Sequence, residues 1–482
     1  MKRGFLQSKN VAKKEKQQSV TKKEEKSEEN REKKCLDRIS SLPKGVLYHI
    51  LSFLDMKDVI RTSLLSGEWR YTWVYAPTIN IDDKYWLDKK GDLKKKRFLS
   101  FVNNVLLLHD GSDIQKFHLR CPNYDTFRNR IDSWVVSVVR RNVQYLDLQF
   151  IDMQPVSSFN LSKNLKTLEL KEITLSDEME RPWCGPALEN LIIENCFHDF
   201  LDRLVISSPR LKYLMLKSEM YCEKAGPQSC EIKICAPNLK FLQCIRMMYK
   251  GYCLENLSSL EAARIDTDVA FKEGNHEELK GVLGTCLNNI LKGLSNAKSL
   301  TLDIEGIQAF AELPGMLKSV SNFPNLKYLK VMEWSTGGHI HSLAKLFERF
   351  SCIETLVLQR VEVPVERGNT FGGQVRFALA EATEEMYGPT RIGDWDKQQL
   401  DPSRVFQKLK YVQLENLRGS VNEFDFIKYL LKTASALENF KAIPAKDLSR
   451  NKKFLLKKFY ENIQSLPKAS SAVVLSLLEP QP

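Results

Sequence analysis

No run of apolar residues in this 482-residue sequence approaches the roughly 18 needed to cross a bilayer, and the amino terminus has no apolar core flanked by a cleavage site. A membrane partner is not expected, and residence in the cytoplasm and/or nucleus is. Histidine is scarce: there are 7, and none forms HExxH or pairs with a cysteine at ligand spacing. The 11 cysteines contain no CxxC; Cys222, Cys230, Cys235, Cys244 and Cys253 follow one another at steps of 8, 5, 9 and 9 residues. That spacing excludes the usual structural zinc sites, and the odd total suits free, mostly buried thiols in a reducing compartment. No glycine-rich loop runs into Lys-Ser or Lys-Thr, since Gly372-Gly373 stand in a polar stretch. These absences argue against an enzyme, against a metal and against a nucleotide cofactor.

Charge of one sign is present, but it is unevenly placed. Residues 1–34 carry 12 Lys and Arg against 6 Glu, a balance of +6, which is half the net +12 of the chain. That segment has almost nothing to bury, so it reads as a disordered basic tail. The rest has no platform of interleaved aromatic and basic residues, and a nucleic-acid partner is not expected.

What the sequence does contain is a repeat. The pattern apolar-x-x-apolar-x-apolar recurs as NLKTLEL from Leu165, ALENLII from Leu188, RLKYLML from Leu211 and NLKFLQC from Leu239. It continues as NLKYLKV from Leu326, CIETLVL from Ile353 and KLKYVQL from Leu409, with weaker copies at Val143, Leu260 and Ala297. An L-x-L pair puts two side chains on one face of a strand, and one such unit buries too little alone. Stacked units share a continuous apolar spine, which predicts a solenoid of parallel strands. Pro186, Pro209, Pro237 and Pro324 each stand two residues before the first Leu of a repeat, where proline ends the returning helix and biases its neighbour toward extended backbone. GHIHSLAKLFERF, with Leu343, Leu346, Phe347 and Phe350 at helical spacing, reads as one such return helix. Asn195-Cys196 follow a strand where the chain must turn. The long step from Gln359 to Val405 reads as a mobile inserted loop. Residues between the apolar positions, such as Thr167 and Glu169, Asn190 and Ile192, Tyr213 and Met215, or Tyr328 and Lys330, would form the concave strand face of the solenoid.

Between tail and repeats, residues 37–81 read as three short helices. Pro43 suits a first helical turn; Val46, Leu47, Ile50, Leu51 and Leu54 then recur at three- and four-residue steps. Val59, Ile60 and Leu64 form a second helix, and Trp69 with Trp73 a third. So short a segment has more large apolar side chains than it can cover, so some should be exposed and mark a partner interface. Capping the open end of the solenoid is the simpler use for them.

The order Leu-Pro, Ile-Leu-Ser-Phe-Leu, Asp-Val-Ile-Arg, Leu-Leu-Ser and Trp-Arg resembles the F-box, the module that binds a Skp-type adaptor of cullin ubiquitin ligases. By that resemblance Leu42, Pro43, Ile50, Leu51, Leu54, Val59, Ser66 and Trp69 line the adaptor contact or hold its shape. Gly67 and Thr72 depart from the pattern, where the family usually has a basic residue and often Leu. Repeats such as SPRLKYL and APNLKFL after an F-box are similar to plant F-box/LRR-repeat proteins. The end of the chain resembles the FBD domain that closes many of them, with Gly419, Glu423, Ala434, Leu437, Pro467, Ala469 and Ser470 on its motif. The resemblance implies an α/β chain: tail 1–34, three-helix F-box 35–82, leucine-rich repeats 83–404 with the insertion near 359–405, and an FBD domain 405–482 completing the solenoid. It also implies a non-catalytic substrate-recognition subunit of an SCF-type ligase, joined through the adaptor to a cullin and holding an unidentified target protein. A leucine-rich scaffold without ligase activity is the alternative.

Overall fold

The computed structural model describes residues 39–87, 90, 94–121, 128–150, 163–176, 185–200, 202–218, 228–246, 249–267, 276–312, 322–334, 343, 346–347, 349–360, 406–446 and 450–478. The basic tail and the inserted loop of the sequence reading lie outside them. The chain divides into two compact units, residues 1–119 and 120–482.

The first unit begins with α1 (Lys44–Leu51) and α2 (Met56–Arg61), the latter running on into a 3-10 turn at Thr62–Leu64. The expected third helix is a turn around Trp69 followed by a single 3-10 segment, Thr72–Tyr75. Aromatic and β-branched residues from Tyr71 to Tyr75 lose rotamer freedom in a helix, and Pro77 stops any continuation. Pro43 stands just before α1 rather than inside it, its carbonyl accepting from the Val46 and Leu47 amides. Then come β1 (Thr78–Asp82), α3 (Lys95–Leu108) and β2 (Lys116–Arg120), β1 and β2 being neighbours in a sheet. Ile79, Ile81, Phe98, Val102, Phe117 and Leu119 are fully buried, so this unit has a core of its own.

The second unit is built on strands. In chain order they are β3 (Tyr145–Gln149), β4 (Thr167–Lys171), β5 (Thr174–Ser176), β6 (Asn190–Glu194), β7 (Phe197–Phe200), β8 (Arg203–Ser207) and β9 (Tyr213–Lys217). Next are β10 (Gln228–Cys235), β11 (Phe241–Ile245), β12 (Tyr249–Glu255), β13 (Ala262–Asp266) and β14 (Ser299–Asp303). The last are β15 (Tyr328–Trp334), β16 (Thr355–Arg360), β17 (Tyr411–Leu417), β18 (Asn439–Pro444) and β19 (Val474–Leu477). Helix α4 (Arg128–Val139) precedes β3, and α5 (His276–Gly293), α6 (Ile304–Glu312), α7 (Val421–Thr433) and α8 (Arg450–Gln464) fall between the strands. Strands β3, β4, β6, β9, β11, β13 and β14 through β19 lie side by side in chain order, every pairing parallel. All ten sequence repeats contribute a strand. β18 is a further copy, ALENFKA, in which Phe440 and Ala442 replace the leucines.

Register explains why Leu recurs. Leu146, Leu168, Leu191, Leu214 and Leu242 are direct cross-strand partners, as are Leu148, Leu170, Ile193, Leu216 and Cys244, and all are buried. Each column is a stack of apolar side chains about 4.8 Å apart, so every strand shields its neighbours from water. Past the ends of β4, β6 and β11, Glu172, Asn195 and Arg246 adopt left-handed φ of 60°, 54° and 54°. Their amides donate to Glu194, Lys217 and Asp266 carbonyls of the next strand at 2.9, 2.7 and 2.8 Å. A left-handed residue costs on the order of 1 kcal/mol, and here it turns the chain while keeping the ladder satisfied. Behind the main sheet, β8, β10 and β12 form a second parallel sheet, a tier that carries no leucine signature.

Beside the insertion the spine is clamped by charge. Arg360 ends β16, and its Nη1 lies 2.9 Å from Glu423 Oε1, both side chains buried. Glu423 also completes a capping box with Ser420 at the start of α7, and Asn416, at φ 62° in β17, donates to the Arg360 carbonyl at 2.9 Å.

Two substitutions test this packing. A Cβ at Gly293 would lie 2.3 Å from Leu254 Cβ on β12, atoms too close to the backbone to move aside. Gly293→Ala should therefore destabilise the second unit by about 1–3 kcal/mol in a urea titration. Arg360→Met strands a buried carboxylate and should cost about 3–5 kcal/mol in the same measurement.

Candidate functional site

Two surfaces can meet a partner, one in each unit. In the first, Leu47, Leu51, Met56, Val59, Trp69 and Ala76 form the buried side of α1, α2 and the turn after them. Trp69 Nε1 donates to Ser40 Oγ at 2.7 Å and pins the entering chain. Asp55 caps α2 through the Lys57 amide at 2.8 Å, and its other oxygen accepts from the Asp82 amide at 3.1 Å, tying the helices to β1. Burial raises the Asp55 carboxyl above its usual range against the pull of those two amides. Lys57 Nζ donates to the Tyr85 carbonyl at 2.8 Å and sits 4.8 Å over the Trp86 ring. His109 Nε2 lies 3.1 Å from the Ala76 carbonyl.

The eight residues singled out from the sequence divide by exposure. Leu51, Val59 and Trp69 are interior; Leu42 and Ser66 are half-buried; Pro43, Ile50 and Leu54 face solvent. The sequence reading did not place in the contact the most exposed apolar side chains of residues 39–76, Phe53 at 74%, Leu64 at 86% and Leu65 at 69%, nor Tyr71 and Tyr75. Helix α1 carries two apolar stripes, Leu47–Leu51 inside and Val46–Ile50 outside. Spacing alone finds both and ranks neither. Gly67 is exposed with nothing within 4 Å of an added Cβ, and Thr72 Oγ1 donates to the Glu68 carbonyl at 3.2 Å, so neither departure disturbs the core.

In the second unit the face opposite the leucine columns carries the alternate residues. Thr167, Glu169, Asn190, Ile192, Tyr213, Met215, Tyr328 and Lys330 are all half-buried there. Its polar groups largely satisfy one another. Lys171 bridges Glu169 at 2.9 Å and Asp147 at 3.4 Å, and Tyr145 donates to Glu169. Lys217 meets Glu194 at 2.9 Å, and Tyr411, Gln413 and Glu415 form a chain that ends on Lys330 at 3.5 Å. Burial, which opposes its charge, is outweighed at Lys171, whose two carboxylates raise the ammonium above its ordinary range. Between the exposed ring of Phe241 and Tyr328 the first column narrows to Ala262 and Ser299.

Reactive chemistry is sparse. Burial pushes the Cys196 and Cys244 thiols up to about 12 and Cys230 and Cys286 to about 11, so none is a thiolate at neutral pH. Among the described residues no three His, Cys, Asp or Glu are grouped to hold a metal ion, and no helix is long and apolar enough to cross a membrane. Cys184, Cys222, His339 and His341 lie outside the described residues.

Comparison with known proteins matches three successive segments of the chain. The F-box domain model matches residues 39–76, the At1g61320/AtMIF1 LRR domain model residues 87–387, and the FBD model residues 401–441. F-box/LRR-repeat protein At3g59200 of Arabidopsis thaliana is 30% identical over 372 residues, covering 67% of this chain and 69% of the relative. F-box/LRR-repeat protein At4g14096 of the same plant is 27% identical over 435 residues, covering 84% and 87%. F-box/LRR-repeat protein At3g59190 is 27% identical over 373 residues, covering 67% and 92%.

The Asp55 tie makes its own prediction. Asp55→Ala leaves the Lys57 and Asp82 amides without their acceptor and should cost about 1–3 kcal/mol. Hydrogen exchange should show faster opening of Met56–Arg61 and of the Asp82 amide, with the second unit unchanged.

Proposed function

The chain belongs to the F-box/LRR-repeat family, and from that premise we propose that it is the substrate-recognition subunit of an SCF-type cullin ubiquitin ligase. The F-box would bind a Skp-type adaptor and, through it, a cullin; the strand face of the repeats would hold a target protein. No residue of this chain takes part in ubiquitin transfer in this reading. The subunit raises the local concentration of target beside a separately recruited conjugating enzyme. Cytoplasmic and/or nuclear residence is part of the same proposal.

One observation carries the reading. Val46, Ile50, Phe53, Leu54, Leu64 and Leu65 are exposed on a segment whose interior is already filled by Leu47, Leu51, Met56, Val59 and Trp69. Apolar side chains left over after the core is complete do nothing for folding, and a cluster of them marks a partner surface. The proposed adaptor contact is accordingly Pro43, Ile50 and Leu54 together with Phe53 and Leu64. Leu51, Val59 and Trp69 hold its shape from inside, and Leu42 and Ser66 sit at its rim.

The test must keep those two roles apart. Leu51→Asp would place a carboxylate in the core and unfold the segment. Phe53→Asp with Leu64→Asp changes only exposed positions and should alter stability by no more than about 0.5 kcal/mol. Purified double variant should capture recombinant Skp-type adaptor at least tenfold more weakly than the unaltered chain, with an unchanged circular dichroism spectrum. Equal capture by both, or none by the unaltered chain, would sink the proposal.

A further inference from the structure

The strand face of the second unit has a notch in its first column. From β11 to β15 the direct cross-strand partners are Phe241, Ala262, Ser299 and Tyr328. Three strand spacings set the backbones of the outer two about 14 Å apart, with only a methyl and a hydroxymethyl group between them. Phe241 is 43% exposed, and Ala262, Ser299 and Tyr328 are half-buried. A second interruption of the same width, between Tyr145 and Tyr213, is closed by its own side chains: Asn190 donates to Thr167 Oγ1 at 3.0 Å.

The second column sets the two interruptions further apart. Beside the closed one it carries Asp147 and Glu169, whereas beside the notch it runs Gln243, Arg264, Thr301, Lys330. Elsewhere on the face polar groups satisfy one another, but among the described residues the side chains of Gln243, Ser299 and Thr301 make no hydrogen bond. Arg264 reaches one carboxylate, Asp266 at 3.8 Å, and Lys330 one, Glu415 at 3.5 Å. Both contacts are longer than the roughly 2.7–2.9 Å of a charge-assisted hydrogen bond, so a closer carboxylate can displace them.

The two columns also fix the spacing of a guest. Residues i and i+2 of an extended chain stand about 6.6 Å apart on one face, which is the separation of the columns themselves. A ring over Ala262 and Ser299 therefore brings a carboxylate two residues away over Thr301. Arg264 stands one strand to one side of that point and Lys330 one strand to the other.

Resting on the reading of the strand face as the surface that holds the target, we propose that this notch is the target's anchor subsite. It takes an extended segment in which an aromatic residue stands two positions from an Asp or Glu. The ring lodges between Phe241 and Tyr328, where aromatic edges and faces meet, and the acid is shared by Arg264 and Lys330. The same segment is refused at the closed interruption, where Asp147 and Glu169 repel its acid.

Selection of a phage-displayed random nonapeptide library on the purified, immobilised full chain tests the proposal. Enriched peptides should share an aromatic residue and an acid separated by one position, in one chain order. Ser299→Trp fills the notch and should abolish the enrichment. Arg264→Glu with Lys330→Glu should retain the aromatic residue but enrich Lys or Arg in place of the acid. A synthetic consensus peptide, followed by fluorescence anisotropy, should bind about tenfold more weakly to Ser299→Trp, and likewise when its acid is replaced by the amide. An equal concentration of 3-phenylpropionate should not displace it. Circular dichroism and urea midpoints identify any variant that fails to fold, and the consensus of the unaltered chain decides the matter without a variant. No consensus, one lacking the acid or the ring, one indifferent to the charge reversal, or displacement by 3-phenylpropionate would each overturn the assignment. Adaptor capture should be equal for all these chains. Capture without a consensus removes this subsite alone, and a consensus without capture removes the ligase reading alone.

Discussion

In-register parallel pairing is the constraint from which the second unit follows. A slip of one residue between any two neighbouring strands would turn the leucines of that strand to water and bring residues such as Glu169 or Lys330 into the core. No single leucine column is stable alone; each strand is shielded by the next. The helices and the rear sheet of β8, β10 and β12 close the other side of the same spine. Charge and turn chemistry are subordinate to this register. Glu172, Asn195 and Arg246 accept left-handed backbone because the amide each then offers meets the carbonyl of the following strand.

The first unit follows a different economy. Its interior is small, and it is held by directional contacts: Asp55 between α2 and β1, Trp69 on Ser40, Lys57 on the Tyr85 carbonyl. A small core supplemented by hydrogen bonds can leave apolar side chains outside without collapsing onto them. That is the physical basis for the exposed apolar side chains on so short a segment.

Much of this was legible in the sequence, and what was not has identifiable reasons. Leu-x-Leu is both a strand signal and a column signal, so the repeats and the parallel solenoid could be read directly. β18 escaped because Phe440 and Ala442 stand in the leucine places, so the Leu-x-Leu signal is missing. β8, β10 and β12 alternate as strands should, but they fall inside what repeat spacing assigns to return segments. In the F-box, spacing identified α1 and α2 but not which apolar stripe faces inward, because that depends on where Trp69 and Met56 come to lie. The third helix failed on local propensity between Tyr71 and Tyr75.

The pairing of β16 with β17 has one further consequence. Arg360 closes β16 and Tyr411 opens β17, and because the strands are parallel these points lie at opposite ends of the pair, about 17 Å apart along the strands; Arg360, Asn416 and Glu423 fasten the end at which the chain leaves. When both ends of an excursion are already fixed by the sheet, lengthening it adds only a slowly growing entropic cost, about 0.6 kcal/mol per doubling. A change of length between Arg360 and Tyr411 can therefore be absorbed there while the apolar columns on either side keep their register.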